Sequence, residues 1–274
     1  MKIAISNIAW EHKYLSEYLK LLKQLGCSGV EIAPSIIWTE PTNSSIEDRK
    51  IFKDQIQKEG LEIIGLHALL FSRPDLQLFL SNESRAATID YLCKLIKLCA
   101  DLGGKQLVFG SPKNRKLHSR KYSECLNQAM EDLFQISEYG KKYNVFFCIE
   151  PLGPDETDFI QSIEEGGNIV NKVNHPFFKL HLDTKALFST KENPNEVVSK
   201  FKNIIQHVHI GDEKLKEPGS INNGHRTIGN ALKKINYSNY LSIEMRKPAN
   251  EVKKVIKRSI LYVKENYNST KDEK

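Results

Sequence analysis

No run in this chain approaches the roughly 18 consecutive apolar residues of a membrane-spanning helix, so no transmembrane segment is expected. The opening residues Lys2-Ile3-Ala4-Ile5 go straight into a strand pattern, without the charged-then-apolar leader of a secreted protein. Cysteine is scarce: Cys27, Cys93, Cys99, Cys125 and Cys148 make an odd set of five with no CxxC pair. That excludes a zinc-ribbon type of site and reads as reduced, mostly buried thiols of a cytoplasmic protein. The Asn-x-Ser/Thr triplets at Asn43 and Asn268 then carry no glycosylation meaning. Charge of one sign is also lacking. A net +6 permits an anionic substrate but offers little surface for tracking a nucleic-acid backbone. No GxGxxG follows the first strand pattern, which argues against a doubly wound dinucleotide-binding sheet.

What the chain does have is regular alternation. Apolar residues at 40% and charged residues at 27% describe an ordinary globular protein. Strand patterns fall at residues 2–6, 29–32, 61–66, 106–109, 146–149, 179–183, 204–210 and 241–245. Helix patterns follow at about 12–25, 45–59, 83–102 and 119–143, then from Ser162, Pro194 and Thr227, and last over 249–267. Gly26, Gly60 and Gly103 close the first three as C-cap glycines would, and Ser162-Ile163-Glu164-Glu165 reads as a capping box. Eight strands each followed by a helix, with no linker between them, predict an α/β fold. It is a single-domain (β/α)8 TIM barrel over residues 1–267, with 268–274 a polar tail expected to fray.

In such a barrel the chemistry sits at the carboxyl ends of the strands. Phe146-Phe147-Cys148-Ile149-Glu150-Pro151 is apolar at every position until a carboxylate, and proline then stops it. Lys179-Leu180-His181-Leu182-Asp183 ends in an aspartate, Gln206-His207-Val208-His209-Ile210 in histidines, and Tyr240-Leu241-Ser242-Ile243-Glu244 in a glutamate. Convergence of Glu150, Asp183, His209 and Glu244 on one point is the simplest explanation. Three carboxylates held together repel one another unless one keeps its proton, and a divalent cation removes that problem. The oxygen-rich donor set suits Mn²⁺ or Mg²⁺, and Co²⁺, Fe²⁺ and Zn²⁺ also fit. The competing reading is structural, with each carboxylate capping a helix or pairing with a lysine.

These residues resemble those of the xylose isomerase-like barrel superfamily, in particular its sugar phosphate isomerase/epimerase group with the ketose 3-epimerases. The resemblance spans nearly the whole chain. It rests on Cys148-Ile149-Glu150-Pro151-Leu152, His181-Leu182-Asp183-Thr184, His207-Val208-His209 and Tyr240–Glu244, with Val108-Phe109-Gly110-Ser111-Pro112 as the fourth strand. It implies one divalent metal ion on Glu150, Asp183, His209 and Glu244. It also implies that Glu150 and Glu244 act as acid and base on opposite faces of a sugar or sugar derivative. A metal chelated by adjacent substrate oxygens stabilises the enediolate formed when one glutamate removes a proton and the other returns one. Glu156 matches a substrate-contacting glutamate of the epimerases, although a carboxylate at a helix N-terminus is its bland alternative. Two features depart from the pattern. Ala186 stands where the epimerases carry a substrate-binding histidine, and Glu213-Lys214-Leu215-Lys216 occupies the place of their arginine. Lys185 or His225 is the candidate to fill that gap.

Other residues are weighed the same way. His67, at the end of the third strand, faces the substrate or is a satisfied rim residue. His207 and His181, each two positions before a ligand, point to the same side as that ligand and read as supporting or packing groups. In the basic run of residues 113–121, Lys113 or Arg115 grips an anionic group of the substrate, or the run is a solvated loop. Trp10, Trp38 and Phe71 wall a sugar pocket or pack beneath the loops. The leading reading is a metal-dependent isomerase or epimerase of a carbohydrate, binding neither nucleic acid nor membrane. By analogy with similar barrels it is a homo-oligomer. Metal-dependent dehydration of a keto-polyol, an AP endonuclease-like activity and a non-enzymatic metabolite-binding barrel are the alternatives.

Overall fold

The computed structural model describes residues 1–269. Strands β1 (Lys2–Ser6), β2 (Gly29–Ile32), β3 (Glu62–Leu66), β4 (Gln106–Phe109), β5 (Phe146–Ile149), β6 (Phe178–Asp183), β7 (Ile205–Ile210) and β8 (Tyr240–Ile243) pair in chain order. β8 pairs in parallel with β1, so the sheet closes into a barrel. Helices α1 (Leu15–Gln24), α2 (Ile46–Lys58), α3 (Asn82–Leu102), α4 (Tyr122–Tyr143), α5 (Ile163–Val173), α6 (Thr184–Thr190), α7 (Pro194–Lys200), α8 (His225–Lys234) and α9 (Val252–Val263) connect successive strands and follow the last. The expected (β/α)8 barrel is the observed one.

The continuous apolar runs are explained by burial on both sides. In β5, Phe147, Cys148 and Ile149 are all buried, alternately filling the barrel and facing the helices. Burial pushes the thiols up, Cys27 to about 12 and Cys93 to about 11, so they are inert packing groups. All five cysteines are free. No helix among the described residues is long and apolar enough to cross a membrane.

One expected cap forms only in part: the Glu165 carboxylate accepts from the Gln161 amide and not from that of Ser162, so no reciprocal box closes at α5. Ser45 and Asp48 form a reciprocal box at the start of α2, and the Ser162 side chain accepts from the Glu165 amide at the start of α5. The boundaries differ from expectation in four places. Residues 12–14 form a 3-10 turn before α1. A second turn, Pro112–Arg115, and left-handed backbone at His118 and Ser119 delay α4 to Tyr122. The helix expected at Pro194 is α7, and a short α6 precedes it directly after β6; seven residues are too few for a visible apolar period. Finally, Glu251 in left-handed conformation holds back α9, which runs on into a π-turn, Lys264–Asn268. Asn268 donates to the Met1 carbonyl at 2.9 Å, so it is tied to the barrel. The rest of the expected tail, from residue 270, lies outside the described residues.

One ion pair holds two helices together beneath the loops. Arg85 of α3 reaches Asp132 of α4 with Nε at 2.8 Å and Nη2 at 2.5 Å from Oδ1, and the aspartate is buried. Removing one partner of a buried pair strands the other charge at a cost of about 3 kcal/mol. Arg85→Ala should therefore lower the unfolding free energy from urea titration by that much, and Arg85→Ala/Asp132→Ala by clearly less. Equal losses in both would mean that packing, not charge, sets the cost.

Candidate metal centre and active site

Four strand ends place the ligand candidates. Asp183 closes β6 and stands opposite His209 of β7 in register, so these two side chains are neighbours by backbone pairing alone. Glu150 and Glu244 are the residues after β5 and β8, and the ladder still holds them: the Glu150 amide donates to the Phe109 carbonyl at 3.1 Å and the Glu244 amide to that of Ile210 at 3.0 Å. The structure brings all four together, with one potential ligand atom of each within 4.8 Å of every other. Gly110 makes room for this. A Cβ there would run into Glu150 Oε2, so only glycine after β4 lets the carboxylate lie over the strand ends.

Each donor is oriented from behind. His209 Nε2 donates to Glu31 Oε2 at 2.8 Å, which leaves Nδ1 as the free face of the ring. His209 Nδ1 and Asp183 Oδ2 are buried without a hydrogen-bond partner, an arrangement that costs free energy unless something completes it. Asp183 uses its other oxygen to cap α6, accepting from the Lys185 amide at 2.8 Å. Glu244 Oε2 lies 3.5 Å from His209 Nδ1 and Oε1 lies 3.0 Å from His67 Nδ1. Ser6 Oγ meets the far nitrogen of His67 at 2.5 Å. Lys185 Nζ sits 3.3 Å from Glu156 and 3.5 Å from Asp183 Oδ2.

The environments push the two glutamates apart. Burial raises the Glu150 carboxyl well above its ordinary range, with Lys185 only partly offsetting it. Burial also disfavours the Glu244 carboxylate, but the His209 and His67 rings outweigh that and hold it well below. Burial works against charge on His209 too, yet Glu31 and Glu244 on its two sides raise it well above the usual imidazole value. Burial disfavours the charged form of Lys185, but Asp183 and Glu150 reverse that and keep it protonated. The donor set fits a divalent cation: three carboxylates and an imidazole converge, and neither Asp183 Oδ2 nor His209 Nδ1 is hydrogen-bonded.

The remaining expected residues separate. His67 lies behind Glu244, and Glu156 and Lys185 form the rim beside Asp183. Arg115 is turned inward, which corrects the reading of the basic run as a solvated loop at that residue. It has no accessible surface and donates Nη1 to the Glu150 carbonyl at 2.9 Å, while Nε and Nη2 meet no partner. Burial lowers it to about 10. Lys113 is exposed. His225 is also displaced from its expected role. Its two nitrogens engage Asp212 at 3.1 Å and Tyr267 at 2.7 Å, so none is left for a substrate. Trp10 stacks on Tyr18 and Trp38 packs on Phe52, whereas Phe71 is 84% exposed. Glu31 and Ser6 were not anticipated. The signal for Glu31 was there: it is the one charge in the otherwise apolar Gly29-Val30-Glu31-Ile32.

Comparison with known proteins identifies the family. Residues 19–265 match the family described as xylose isomerase-like TIM barrel. The chain is 24% identical over 253 residues to a D-psicose 3-epimerase of Ruminiclostridium cellulolyticum, covering 89% of this chain and 83% of that one. It is 23% identical over 259 residues to a D-psicose 3-epimerase of Agrobacterium fabrum, covering 89% and 84%. Among solved structures, 3-keto-D-glucoside 4-epimerase from E. coli superposes with a TM-score of 0.83 at 17% identity, over 97% of this chain and 99% of that one.

Two outcomes follow from the ligand geometry. An ion has to displace the proton that its flanking carboxylates keep on His209, so affinity should rise with pH. Calorimetric titration with Mn²⁺ in buffers of different ionisation enthalpy should show proton release; buffer-independent heats and a pH-independent Kd would contradict it. Gly110→Ala should weaken Mn²⁺ binding by about tenfold or more, the scale of displacing a ligand's support, while the melting transition stays cooperative.

Proposed function

From the premise that this chain belongs to the xylose isomerase-like TIM barrel family and is an enzyme of the isomerase/epimerase type, we propose that it epimerises an uncharged ketose by two-base proton transfer. The observation that carries the reading is the meeting of Glu150, Asp183, His209 and Glu244, with Asp183 Oδ2 and His209 Nδ1 buried and not hydrogen-bonded. Those four side chains would hold the divalent ion, Mn²⁺ or Mg²⁺ by the oxygen content of the set. When bound, the ion supplies stabilisation of negative charge developing on adjacent carbonyl and hydroxyl oxygens of the sugar.

The chain's own residues do the rest. Glu244, held ionised by His209 and His67, is placed to take the proton from the carbon beside the carbonyl. Glu150 is placed to return one from the other side. The pair holds one transferable proton between them, as acid and base must. After turnover the proton has changed sides, which suits a reversible epimerisation. Glu156 and Lys185 form a linked donor and acceptor at the rim for sugar hydroxyls, in place of the histidine that Ala186 replaces.

Charge favours a neutral sugar over a phosphate or a sugar acid. Lys185 is committed to Glu156 and Asp183, and Arg115 is turned inward onto the Glu150 carbonyl. Carboxylates therefore dominate the mouth, and an anionic group would meet repulsion there.

Incubation with Mn²⁺ and neutral ketohexoses in D2O should place deuterium on the carbon next to the carbonyl together with the epimer. Glu150→Gln and Glu244→Gln should each lower the rate by about 10²–10⁴-fold. Loss of water from the product would assign elimination instead. No exchange in any ketose by metal-loaded protein would sink the reading, and faster turnover of ketose 6-phosphates would sink its neutral-sugar part.

A further inference from the structure

Of the three carboxylates at the site, Glu150 is the one that no neighbouring group aims. Glu244 has His67 and His209 against its two oxygens, and Asp183 accepts from the Lys185 amide. No group among the described residues hydrogen-bonds the Glu150 carboxyl. Its direction is therefore set by its backbone. In a parallel ladder the amide and carbonyl of one residue bond the same neighbouring strand, two residues apart on it. Phe146 donates to the Lys105 carbonyl at 2.8 Å and Glu150 to that of Phe109 at 3.1 Å. The Glu150 carbonyl would next accept from the Ser111 amide, but β4 ends at Phe109 and Ser111 turns left-handed at φ 45°. Arg115, further along the same loop, supplies the missing donor with Nη1 at 2.9 Å.

This donor is buried at a cost. Arg115 has no accessible surface, forms no ion pair among the described residues, and leaves Nε and Nη2 without partners. Glu150, Glu165, Glu156 and Asp158 act on it only at longer range. A guanidinium buried for stability alone is paired. Its own placement is firm. It closes the 3-10 turn Pro112–Arg115, in which its neighbour Asn114 is buried against the loop after β3. Asn114 Nδ2 donates to the Arg73 carbonyl at 2.8 Å and the Leu76 carbonyl at 2.5 Å, and the Leu78 amide donates to the Asn114 carbonyl at 2.9 Å. The turn is clasped to one loop, and the end of β5 is clasped to the turn. A group held this way can orient another.

Resting on the acid–base roles given to Glu150 and Glu244 above, we propose that Arg115 is a positioning residue. By completing the bond that β4 leaves open, it aims the Glu150 carboxyl and so governs proton transfer on that face of the sugar alone. Glu244 is aimed by His67 and His209 and does not depend on it.

The two faces separate when protein at saturating Mn²⁺ is given, in D2O, each member of the neutral ketohexose pair that wild type interconverts. Arg115→Met removes the donor and keeps an unbranched stem. It should lower epimer formation from both members by about 10–100-fold, the scale of a misplaced reacting group. Deuterium entry into the recovered starting sugar should persist for the member whose proton faces Glu244 and fall for the other. A lost fold or a lost ion would lower all four rates together. Arg115→Lys, which restores a donor, should recover most of the epimer formation. Asn114→Ala, which loosens the turn, should show the same asymmetry more weakly, and it carries the test if Arg115→Met does not fold.

A folded Arg115→Met variant that forms epimer at the wild-type rate overturns the proposal. So do four rates lowered alike, or an Arg115→Lys variant no better than Arg115→Met. Crystal structures give an answer free of turnover: the Glu150 carboxyl should lie beside Gly110 in wild type and elsewhere in Arg115→Met, and an unmoved carboxyl overturns the proposal. Wild type that exchanges no ketose sinks the proposed function instead. The pair of crystal structures still decides the part played by Arg115, so the two failures are distinguishable.

Discussion

The structure is arranged around the problem of burying like charges. Three carboxylates and an imidazole meet at the mouth of the barrel, and a fourth carboxylate, Glu31, lies fully buried beneath them. Water cannot screen these groups, so each must be paired, neutralised or bound to a cation. The fold answers with all three devices. Glu31 takes two imidazoles, burial favours the neutral form of Glu150 while no ion is present, and Glu150, Asp183, His209 and Glu244 converge where an ion would be held.

A closed parallel barrel suits this task because its backbone is rigid and its strand ends converge. The ligands stand on, or one residue past, strands whose main-chain bonds continue through them, as the Glu150 and Glu244 amides show. Support comes from strands remote in sequence. β1 brings Ser6 to His67, β2 brings Glu31 to both β7 histidines, and β4 brings Gln106 to His207 and is followed by the glycine that admits Glu150. The loops contribute less than their composition suggested. The basic run after β4 turns its arginine inward, and two of the three loop aromatics are engaged in packing.

The barrel and the four ligand candidates were legible because both depend on local patterns. A strand buried on both faces must be apolar throughout, so the single carboxylate that ends it stands out. Glu150, Asp183 and Glu244 were found that way. His225 shows the limit of the method. It follows a βα-loop as a substrate contact would, yet Asp212 and Tyr267 take both its nitrogens, and Tyr267 lies 42 residues away. Arg115 shows the same limit in a charged run, where sequence does not distinguish a side chain turned to solvent from one turned under a strand end. The short helix α6 was missed because it is capped by a ligand: Asp183 is at once the end of β6 and the N-cap.

The sequence by itself determined the class of fold, the order of its elements and the identity of the converging carboxylates and histidine. Hydrophobic period and strand-end chemistry are properties of neighbours along the chain. Only the tertiary structure decided which nitrogen of His209 faces the other ligands, which of the two glutamates has imidazole neighbours, and which basic side chains are already spent. Those depend on burial and on hydrogen-bond partners contributed by other strands, and no spacing within one segment encodes them.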